Sequence, residues 1–584
     1  MWIPSDRSIG SRRDRGAFET RAGAGLERVT IAQLLLDRIG DDRPGVRTRE
    51  SCWTWDETVR ESAARGALAT SLRRDGPFHI GVLLDNTPEF LFWLGGAALS
   101  GAVIVGINPT RRGAELAAEI RYVDCQLIVT DSAGMAKLRA LDLGLSADRF
   151  VLVDAPSYLD RVREHRSGEP GAGPAVDESA LFLLLFTSGT TGTSKAVRCS
   201  QGRLARLAYA NTAKYGHVRE DIDYCCMPLF HGNALMALWA PALANGATVC
   251  LTPKFSASGF LPDVRFFGAT FFTYVGKALG YLMATPERPD DHDNPLVRGF
   301  GTEASPEDRA EFARRFGAEL FEGYGSSEGA GSVRPDPDTP EGALGRPANP
   351  DIVVVDPETR RECARARLDR YGRVLNPDSA IGEMVDKGGA RRFEGYYKNE
   401  AAVAERIRYG WYWTGDLGYV DEAGYIYFAG RKGDWIRVDG ENISALMVER
   451  ILRRHPDIVA TGVYAVPDPR SGDQVMAAIE VADIAAFDPV EFAVFLDGQD
   501  DLGTKSAPRF VRVSTTLPVT GSNKVLKREL QAQAWHTGDP VFHRVGRGTP
   551  EYVPFTEAAG HELDREFRTH GRARFLPGPD VPRS

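Results

Sequence analysis

The segment that most restricts this chain is a run of small polar residues, 187–194, which directly follows the apolar strand pattern Leu181–Phe186. The run contains only Gly, Ser and Thr, and Lys195 comes straight after it. Such a segment cannot pack into a core, but its uncovered backbone N–H groups, its hydroxyls and the lysine can surround an anion. Composition alone also allows a flexible linker. The strand before the run favours a site for a nucleotide triphosphate.

The length and composition indicate a globular protein of more than one domain. With 584 residues the chain exceeds what one hydrophobic core supports, and 43% of its residues are apolar. A net charge of −9 argues against a nucleic-acid partner. Seven scattered cysteines without a Cys-x-x-Cys pair indicate buried thiols in a reducing compartment, so we expect a cytoplasmic protein.

Between residues 79 and 153, apolar strand patterns alternate with helical patterns. The strand patterns lie at 79–84, 103–107, 126–130 and 150–153, and the helical patterns lie at 88–99 and 113–122. This alternation predicts a large α/β domain whose parallel sheets are sandwiched by helices. The uncharged stretch 90–107 is long enough for a membrane span, but its glycines and its β-branched second half favour a buried helix followed by a central strand.

Near residue 431 the pattern changes to shorter elements, which predicts a small, mobile α+β domain. We therefore divide the chain into a large N-terminal domain at 29–432 and a C-terminal mobile domain at 433–545. Residues 1–28 are rich in Arg, Gly and Ser without an apolar run, and we expect a disordered leader rather than a secretory signal. Residues 546–584 are polar with Gly and Pro, and we expect a loose tail.

Four further segments carry groups suited to nucleotide chemistry, although each is weak alone. Glu322–Glu328 combines glycines that permit close backbone approach, an aromatic ring that can stack on a base, and a carboxylate that can hold Mg²⁺. The others are Trp413–Asp416, Gly430–Asp434 with its continuation to 443, and Pro518–Lys524. A glycine-rich turn, a common Gly-Asp turn or a solvated lysine would explain each segment by itself.

Taken together, in this order and spacing, these segments resemble the adenylate-forming superfamily of acyl-CoA synthetases, luciferases and peptide-synthetase adenylation domains, over about residues 29–540. The resemblance implies that 29–432 is an adenylation domain, with ATP and Mg²⁺ as cofactors and coenzyme A as a substrate. The nucleotide-binding residues that it implies are Thr187, Ser188, Gly189, Thr190, Thr191, Gly192, Lys195, Glu322, Gly323, Tyr324, Gly325, Ser326, Ser327, Asp416 and Arg431.

The mechanism of that family implies further roles for named residues. A carboxylate attacks the α-phosphate of MgATP to give an acyl-adenylate and pyrophosphate, and the thiol of coenzyme A then attacks the mixed anhydride. Glu328 would hold Mg²⁺, and Lys524 would drive the adenylation step. The small domain would rotate about Gly433 between the steps. The residues implied for the acyl and coenzyme A pocket are His231, Val275, Gly276 and Gly440.

Two segments narrow the resemblance to the long-chain and very-long-chain acyl-CoA synthetases of the fatty-acid-transport-protein type. These are Arg431–Arg437 with the Gly440-Glu441-Asn442 run, and Thr520–Lys524. The expected function is an ATP-dependent acid–thiol ligase for a hydrophobic carboxylic acid, either a long-chain, a very-long-chain or a sterol-side-chain acid.

Three alternatives remain open at this point. A membrane-associated uptake protein for fatty acids would need a membrane anchor, which the sequence does not show. An adenylation enzyme that loads a carrier protein would need a carrier module, and we expect none after residue 545. A degenerate nucleotide-binding protein would lack the charged motif residues. We expect at most peripheral contact with the inner face of a membrane, and the sequence is compatible with an oligomer.

Overall fold

The computed structural model describes residues 29–577 apart from 167, 174–175, 188–194, 303, 305, 337, 370–371, 373, 432–434, 439–440, 471, 504, 521–523 and 545–550. The leader predicted at 1–28 lies outside the described residues. So do the phosphate-loop residues 188–192, Gly433 and Gly440.

The first sheet has six strands, and all neighbouring pairs except the last are parallel. In sheet order the strands are Phe150–Leu152, Cys125–Thr130, His79–Leu83, Val103–Gly106, Leu181–Thr187 and Lys195–Ser200. The helices of this part of the chain are Pro88–Ser100, Gly113–Tyr122, Ser132–Leu138 and Tyr158–Glu164. Parallel neighbouring strands need a crossover segment between them, and these helices are in the chain between the strands. The predicted alternation of strands and helices is therefore confirmed.

The second sheet has seven strands and is parallel except for one pair at its edge. In sheet order the strands are Glu319–Glu322, Arg298–Thr302, Phe271–Val275, Ile222–Cys225, Thr248–Leu251, Pro44–Arg47 and Cys52–Thr54. The helices of this part are Ile31–Leu36, Trp55–Ser71, Gln201–Tyr215, Gly232–Ala234, a π-helical turn at Leu235–Trp239, Ala240–Asn245, Ala257–Phe267, Gly276–Met283 and Pro306–Phe316. One core of buried side chains joins both sheets, as the predicted α/β architecture requires.

The apolar helix Pro88–Ser100 is a core helix, as predicted. Every residue from 90 to 99 is buried. The helix packs against Trp55–Ser71, and a Cβ on Gly66 would lie 2.7 Å from the carbonyl oxygen of Gly96. Glycine therefore lets the two helix backbones touch. In the described part of the chain, no helix combines the length and apolar character needed to cross a membrane.

A third sheet follows, and it is antiparallel. In sheet order its strands are Val333–Arg334, Ala343–Pro347, Ile426–Arg431, Trp411–Val420, Gly382–Asp386 and Ile352–Val355, and Ile407–Arg408 pairs with the long strand. The helices here are Pro377–Ala380 and Glu400–Arg406. This sheet places Asp416 and Arg431 on neighbouring strands.

The C-terminal part is a smaller α+β unit with cores of its own, as predicted. A hairpin, Trp435–Val438 with Glu441–Ser444, precedes a five-stranded sheet. In order, that sheet holds Ile458–Pro467, Asp473–Val481, Phe510–Ser514, Val541–Arg544 and Tyr552–Pro554, with one parallel pair in the middle. Its helices are Ala445–Leu452, Pro489–Asp497, Lys527–Gln533 and Glu557–Thr569.

The segment predicted as a loose polar tail, 546–584, differs from that expectation where it is described. Tyr552–Pro554 is a strand of the C-terminal sheet, and Glu557–Thr569 is a helix. Phe567 is fully buried, and Leu563, one helical turn earlier, packs against the same cluster. The apolar residues are spaced one turn apart among charged ones, so the average polarity of the segment conceals an amphipathic helix.

Candidate active site

The two arms of the predicted phosphate loop are neighbouring antiparallel strands. Thr187 ends one strand and Lys195 begins the other, and the two residues are paired in register. The hydroxyl of Thr187 donates to the carbonyl oxygen of Lys195 at 3.5 Å. The intervening residues, among them the predicted Ser188, Gly189, Thr190, Thr191 and Gly192, lie outside the described chain. The structure therefore fixes where the loop starts and ends, at the edge of the first sheet.

Lys195 is buried and ion-paired. Its Nζ lies 3.1 Å from Oε2 of Glu405, whose side chain is largely exposed, and 5.5 Å from the ring centroid of Tyr396. A phosphate group that used Lys195 would have to compete with Glu405 for the ammonium.

Glu328 contacts the tyrosine that Lys195 also faces, Tyr396, in a cluster of phenols and a guanidinium. It is 7% exposed, and its Oε1 accepts a hydrogen bond from the hydroxyl of Tyr396 at 2.9 Å. Nε of Arg406 is 3.4 Å from the same hydroxyl. Burial, together with the Glu328 carboxylate, raises the pKa of Tyr396, so this phenol stays protonated and donates to Glu328.

The donor set around Glu328 fits Mg²⁺ held partly by a substrate. Mg²⁺ takes oxygen ligands and is usually bound through one or two carboxylates, with waters and substrate phosphates completing its octahedron. Among the described residues, no three His, Cys, Asp or Glu side chains converge as a metal site. A single carboxylate beside the phosphate loop suits an ion that arrives with ATP.

Asp416 and Arg431 are register partners on neighbouring strands. Nε of Arg431 is 3.3 Å from Oδ1 of Asp416, and the hydroxyl of Tyr324 donates to Oδ2 at 2.5 Å. Burial raises the pKa of Asp416, while the charge of Arg431 opposes that shift. The three predicted residues thus meet at one carboxylate that can accept hydroxyl donors.

Glu322 and Gly323 anchor the loop that precedes this tyrosine. Oε1 of Glu322 accepts hydrogen bonds from the hydroxyl of Tyr274 at 3.2 Å and from the N–H of Ala304 at 2.9 Å. One oxygen of the Glu322 carboxylate therefore ties the loop to the neighbouring strands. Gly323 leaves space that the side chain of Lys214 occupies.

The turn at 325–329 is open toward solvent on one side. A Cβ on Gly325 would have no neighbour within 4 Å, and Ser326 is exposed. The carbonyl of Ser326 accepts the N–H of Gly329 at 3.0 Å, and the carbonyl of Ser327 accepts the guanidinium of Arg203. These backbone bonds hold the turn in place next to Glu328.

The segments predicted to line the acyl pocket converge on that turn. A Cβ on Gly232 would lie 3.2 Å from Oγ of Ser327. Nδ1 of His231 accepts the N–H of Asn233 at 3.4 Å, and Nδ2 of Asn233 donates to the carbonyl of Tyr274 at 3.2 Å. Val275 and Gly276 follow Tyr274 directly and are buried. His231, Val275 and Gly276 therefore lie close together beside this turn.

Lys524 lies in a tight turn of the C-terminal unit. Its N–H donates to Oγ1 of Thr520 at 3.0 Å, and its carbonyl accepts the N–H of Thr520 at 2.7 Å. Just before this turn, the N–H of Leu517 donates to Oε2 of Glu480 at 2.9 Å. The same oxygen is 3.0 Å from Nζ of Lys277, which follows Gly276. The turn that carries Lys524 is thus tied to the helix that begins at the acyl segment.

Matches to known protein families identify the family to which this chain belongs. Over residues 42–397 the chain matches the AMP-binding enzyme family, and over 447–524 it matches the AMP-binding enzyme C-terminal domain.

The chain belongs to the AMP-binding enzyme family.

Curated relatives and solved structures agree with this membership. Steroid-22-oyl-CoA synthetase of Rhodococcus jostii (strain RHA1) is 80% identical over 551 residues, which cover 94% of this chain and 99% of that protein. Medium/long-chain-fatty-acid–CoA ligase FadD17 of Mycobacterium tuberculosis (strain ATCC 25618 / H37Rv) is 46% identical over 514 residues, which cover 88% and 98%. ATP-bound MatB from Rhodopseudomonas palustris has the same fold, with a TM-score of 0.73 at 22% identity over 86% of this chain and 98% of that one.

This member of the AMP-binding enzyme family is an AMP-forming acyl-CoA synthetase, which uses ATP, Mg²⁺ and coenzyme A to convert a carboxylic acid into its acyl-CoA. The predicted family, fold class, enzyme class and cofactors are confirmed. The roles of individual residues stay predictions, as do the domain limits.

The sequence reasoning missed several side chains of this AMP-binding enzyme that contact predicted site residues. Tyr396 and Arg406 stand around Glu328, Glu405 pairs with Lys195, and Lys214 lies against Gly323. The one local signal was the aromatic pair after Gly395, and such a pair is also typical of an ordinary core strand.

Proposed function

We propose that this acyl-CoA synthetase activates the side-chain carboxylate of a steroid acid and transfers the acyl group to coenzyme A. The observation that carries the proposal is the 80% identity, over 94% of the chain, to a protein named steroid-22-oyl-CoA synthetase. The convergence of the apolar segments 230–239 and 271–276 beside the turn of Glu328 supports it, because an acid bound there would present its carboxylate toward the nucleotide side.

In the first step the carboxylate oxygen attacks the α-phosphorus of ATP, and the bond to the leaving pyrophosphate breaks. Both reactants are anions, so positioned positive charge must offset their repulsion. Lys195 can supply charge at the loop once a phosphate displaces Glu405, and Lys524 can supply it from the C-terminal turn. Mg²⁺, when held by Glu328, would neutralise phosphate oxygens.

Asp416 and Tyr324 orient the nucleoside in this proposal. The two Asp416 oxygens face Arg431 and the Tyr324 hydroxyl, so ribose hydroxyls can replace or share these donors. The Tyr324 ring, whose hydroxyl contacts the same carboxylate, can stack on the base.

In the second step the coenzyme A thiol attacks the acyl carbon of the adenylate, and AMP leaves. We propose that the C-terminal unit rotates about Gly433 between the steps and that the segment with Gly440 then enters the site. Glycine permits the large change in backbone angles that such a hinge needs.

A medium- or long-chain fatty acid is the second candidate substrate, because FadD17 is 46% identical over 88% of this chain. A panel separates the two: a steroid 22-carboxylic acid, a long-chain and a medium-chain fatty acid, and benzoate as a small aromatic control, each assayed for pyrophosphate release and acyl-CoA mass.

We expect kcat/KM to be at least ~10-fold higher for the steroid acid than for either fatty acid, since a rigid ring system loses little conformational freedom on binding. Acyl-CoA should form only when coenzyme A is present. Equal or better activity with a fatty acid would overturn the steroid assignment, and adenylate formation without any acyl-CoA would favour a carrier-loading enzyme.

We further propose that the enzyme works in the cytoplasm and that any membrane contact is peripheral. All seven cysteines carry free thiols, which supports a reducing compartment. Recovery of the panel activity only from detergent-extracted membranes would contradict this and favour the uptake protein.

A further inference from the structure

Lys214 is a cation in a largely apolar setting. It lies in the last turn of helix Gln201–Tyr215, where its Nζ is 5.0 Å from the ring centroid of Phe300 and 5.4 Å from that of Tyr215. Within the part of the chain that the structure describes, no carboxylate or carbonyl accepts a hydrogen bond from it. Burial, reinforced by the charge of Arg334, lowers the pKa of Lys214 to about 8.

The ammonium sits directly behind the nucleotide loop. A Cβ on Gly323 would lie 2.7 Å from Nζ of Lys214 and 3.1 Å from the ring of Phe300. Glycine at 323 is therefore what leaves room for the lysine head group. The next residue, Tyr324, contacts Asp416, so Lys214 lies on the opposite side of the loop backbone from the predicted ribose site.

The same helix connects this point with the reacting end of the site. Arg203, near the start of the helix, donates to the carbonyl of Ser327 next to Glu328. Lys214 comes eleven residues later, which is about 16 Å along the helix axis. An acid whose carboxylate is activated beside Glu328 could therefore extend along this helix toward Lys214.

The wall near Lys214 is aromatic. Tyr215, Ala237, Phe271 and Phe300 form one buried cluster with Phe321 packed against it, and the rings of Tyr215 and Phe300 are 4.4 Å apart. These side chains can pack against a hydrocarbon ring system. They interact with an ammonium only through the faces of their aromatic rings. Lys214 is half-buried, so its ammonium is only partly hydrated, and an acceptor brought by the ligand would complete its hydrogen bonding.

We propose that Lys214 is a specificity residue that donates a hydrogen bond to a ring oxygen of the steroid acid, at the end remote from the activated carboxylate. The substrate class is then a keto or hydroxy steroid acid and not an unoxygenated one. This inference rests on the proposed function. A site built to pair with a ligand oxygen rejects the analogue that lacks it.

The test compares two steroid 22-carboxylic acids, one with a ring ketone at the end remote from the carboxylate and one without it, together with a long-chain fatty acid. Pyrophosphate release gives kcat/KM for wild type, Lys214→Met, Lys214→Gln and Arg206→Met. Arg206 is an exposed cation on the same helix and serves as the matched control. Thermal unfolding shows that each variant is folded.

We expect wild type to prefer the keto acid by about 10- to 100-fold, the range for a hydrogen bond to a charged group. Lys214→Met should lose this preference, Lys214→Gln should keep part of it because an N–H donor remains, and Arg206→Met should keep all of it. The proposal is overturned if the wild-type kcat/KM is the same for both steroid acids, or if Lys214→Met lowers kcat/KM equally for the two acids. If wild type activates the fatty acid but neither steroid acid, the proposed function itself fails.

Discussion

At the scale of single residues, burial of the Lys214 ammonium should lower the stability of the fold, and this effect should depend on pH. The pKa of Lys214 is lowered from 10.5 to about 8 in the folded enzyme, mainly by burial. Between these values the unfolded chain binds more protons than the folded chain, so the free energy of unfolding of wild type should rise with pH there. Below about pH 8 Lys214 is protonated in both the folded and the unfolded chain, so the full cost of burying its charge lowers the free energy of unfolding.

Lys214→Met should therefore increase the free energy of unfolding at neutral pH by roughly 1–3 kcal/mol. This gain should shrink as the pH rises above about 8. Urea unfolding at a series of pH values measures both effects, with Arg206→Met as the control that should show neither. A gain that does not depend on pH would contradict the lowered pKa.

Some contacts of single residues could be predicted from the sequence and others could not. The pairing of Asp416 with Arg431 could be predicted, because both residues lie in local sequence motifs. The contact of Tyr396 with Glu328 joins residues 68 positions apart. Neither local sequence contains a pattern that predicts this contact. Such a contact depends on how the third sheet packs on the first two.

At the scale of elements, one buried ion pair joins the helix Gly276–Met283 to the C-terminal strand Asp473–Val481. Lys277 and Glu480 are 6% and 5% exposed and lie 3.0 Å apart. The hydroxyl of Tyr281 donates to the other carboxylate oxygen at 3.1 Å. Glu480 therefore fixes the approach of the turn after Leu517 to the acyl segment.

Lys277→Met should destabilise this docking by about 3–5 kcal/mol, because it leaves a buried carboxylate without its counter-charge. Urea unfolding and the rate of limited proteolysis between the two units measure the loss. The double variant Lys277→Met/Glu480→Gln should recover most of it, since a neutral amide needs no counter-charge.

The control for that experiment is an exposed pair. Arg314 and Glu287 lie 2.7 Å apart with about half of each side chain exposed, and Arg314→Met should cost much less than Lys277→Met because water already solvates both charges. Equal costs for the buried and the exposed pair would contradict the account of Lys277.

Elements differ in how far the sequence predicts them. Five of the six strands of the first sheet are short apolar runs between turn residues, and the structure has them within a residue or two of the prediction; the sixth, Lys195–Ser200, was not predicted. The helix Glu557–Thr569 was missed, because Phe567 and Leu563 carry its packing alone among charged neighbours. A count of polar residues cannot detect a stripe that narrow.

At the scale of the whole molecule, the proposed mechanism uses two arrangements of one chain. In the structure, Lys524 and Glu480 belong to the C-terminal unit, whereas Glu328, Asp416 and the acyl segment belong to the rest of the chain. Two steps that need different groups at the same acyl carbon are most simply served by rotation of the smaller unit. Gly433, as the hinge, stays a prediction.

The most direct measurement of the central claim separates the two half-reactions in Lys524→Ala. Pyrophosphate release from the acid and ATP should fall by at least ~100-fold, because the first step loses a positive charge at its transition state. Acyl-CoA formation from supplied acyl-adenylate should stay near the wild-type rate, and Gly433→Pro should show the opposite pattern. Equal loss of both half-reactions in Lys524→Ala, or an undiminished first step, would contradict the account.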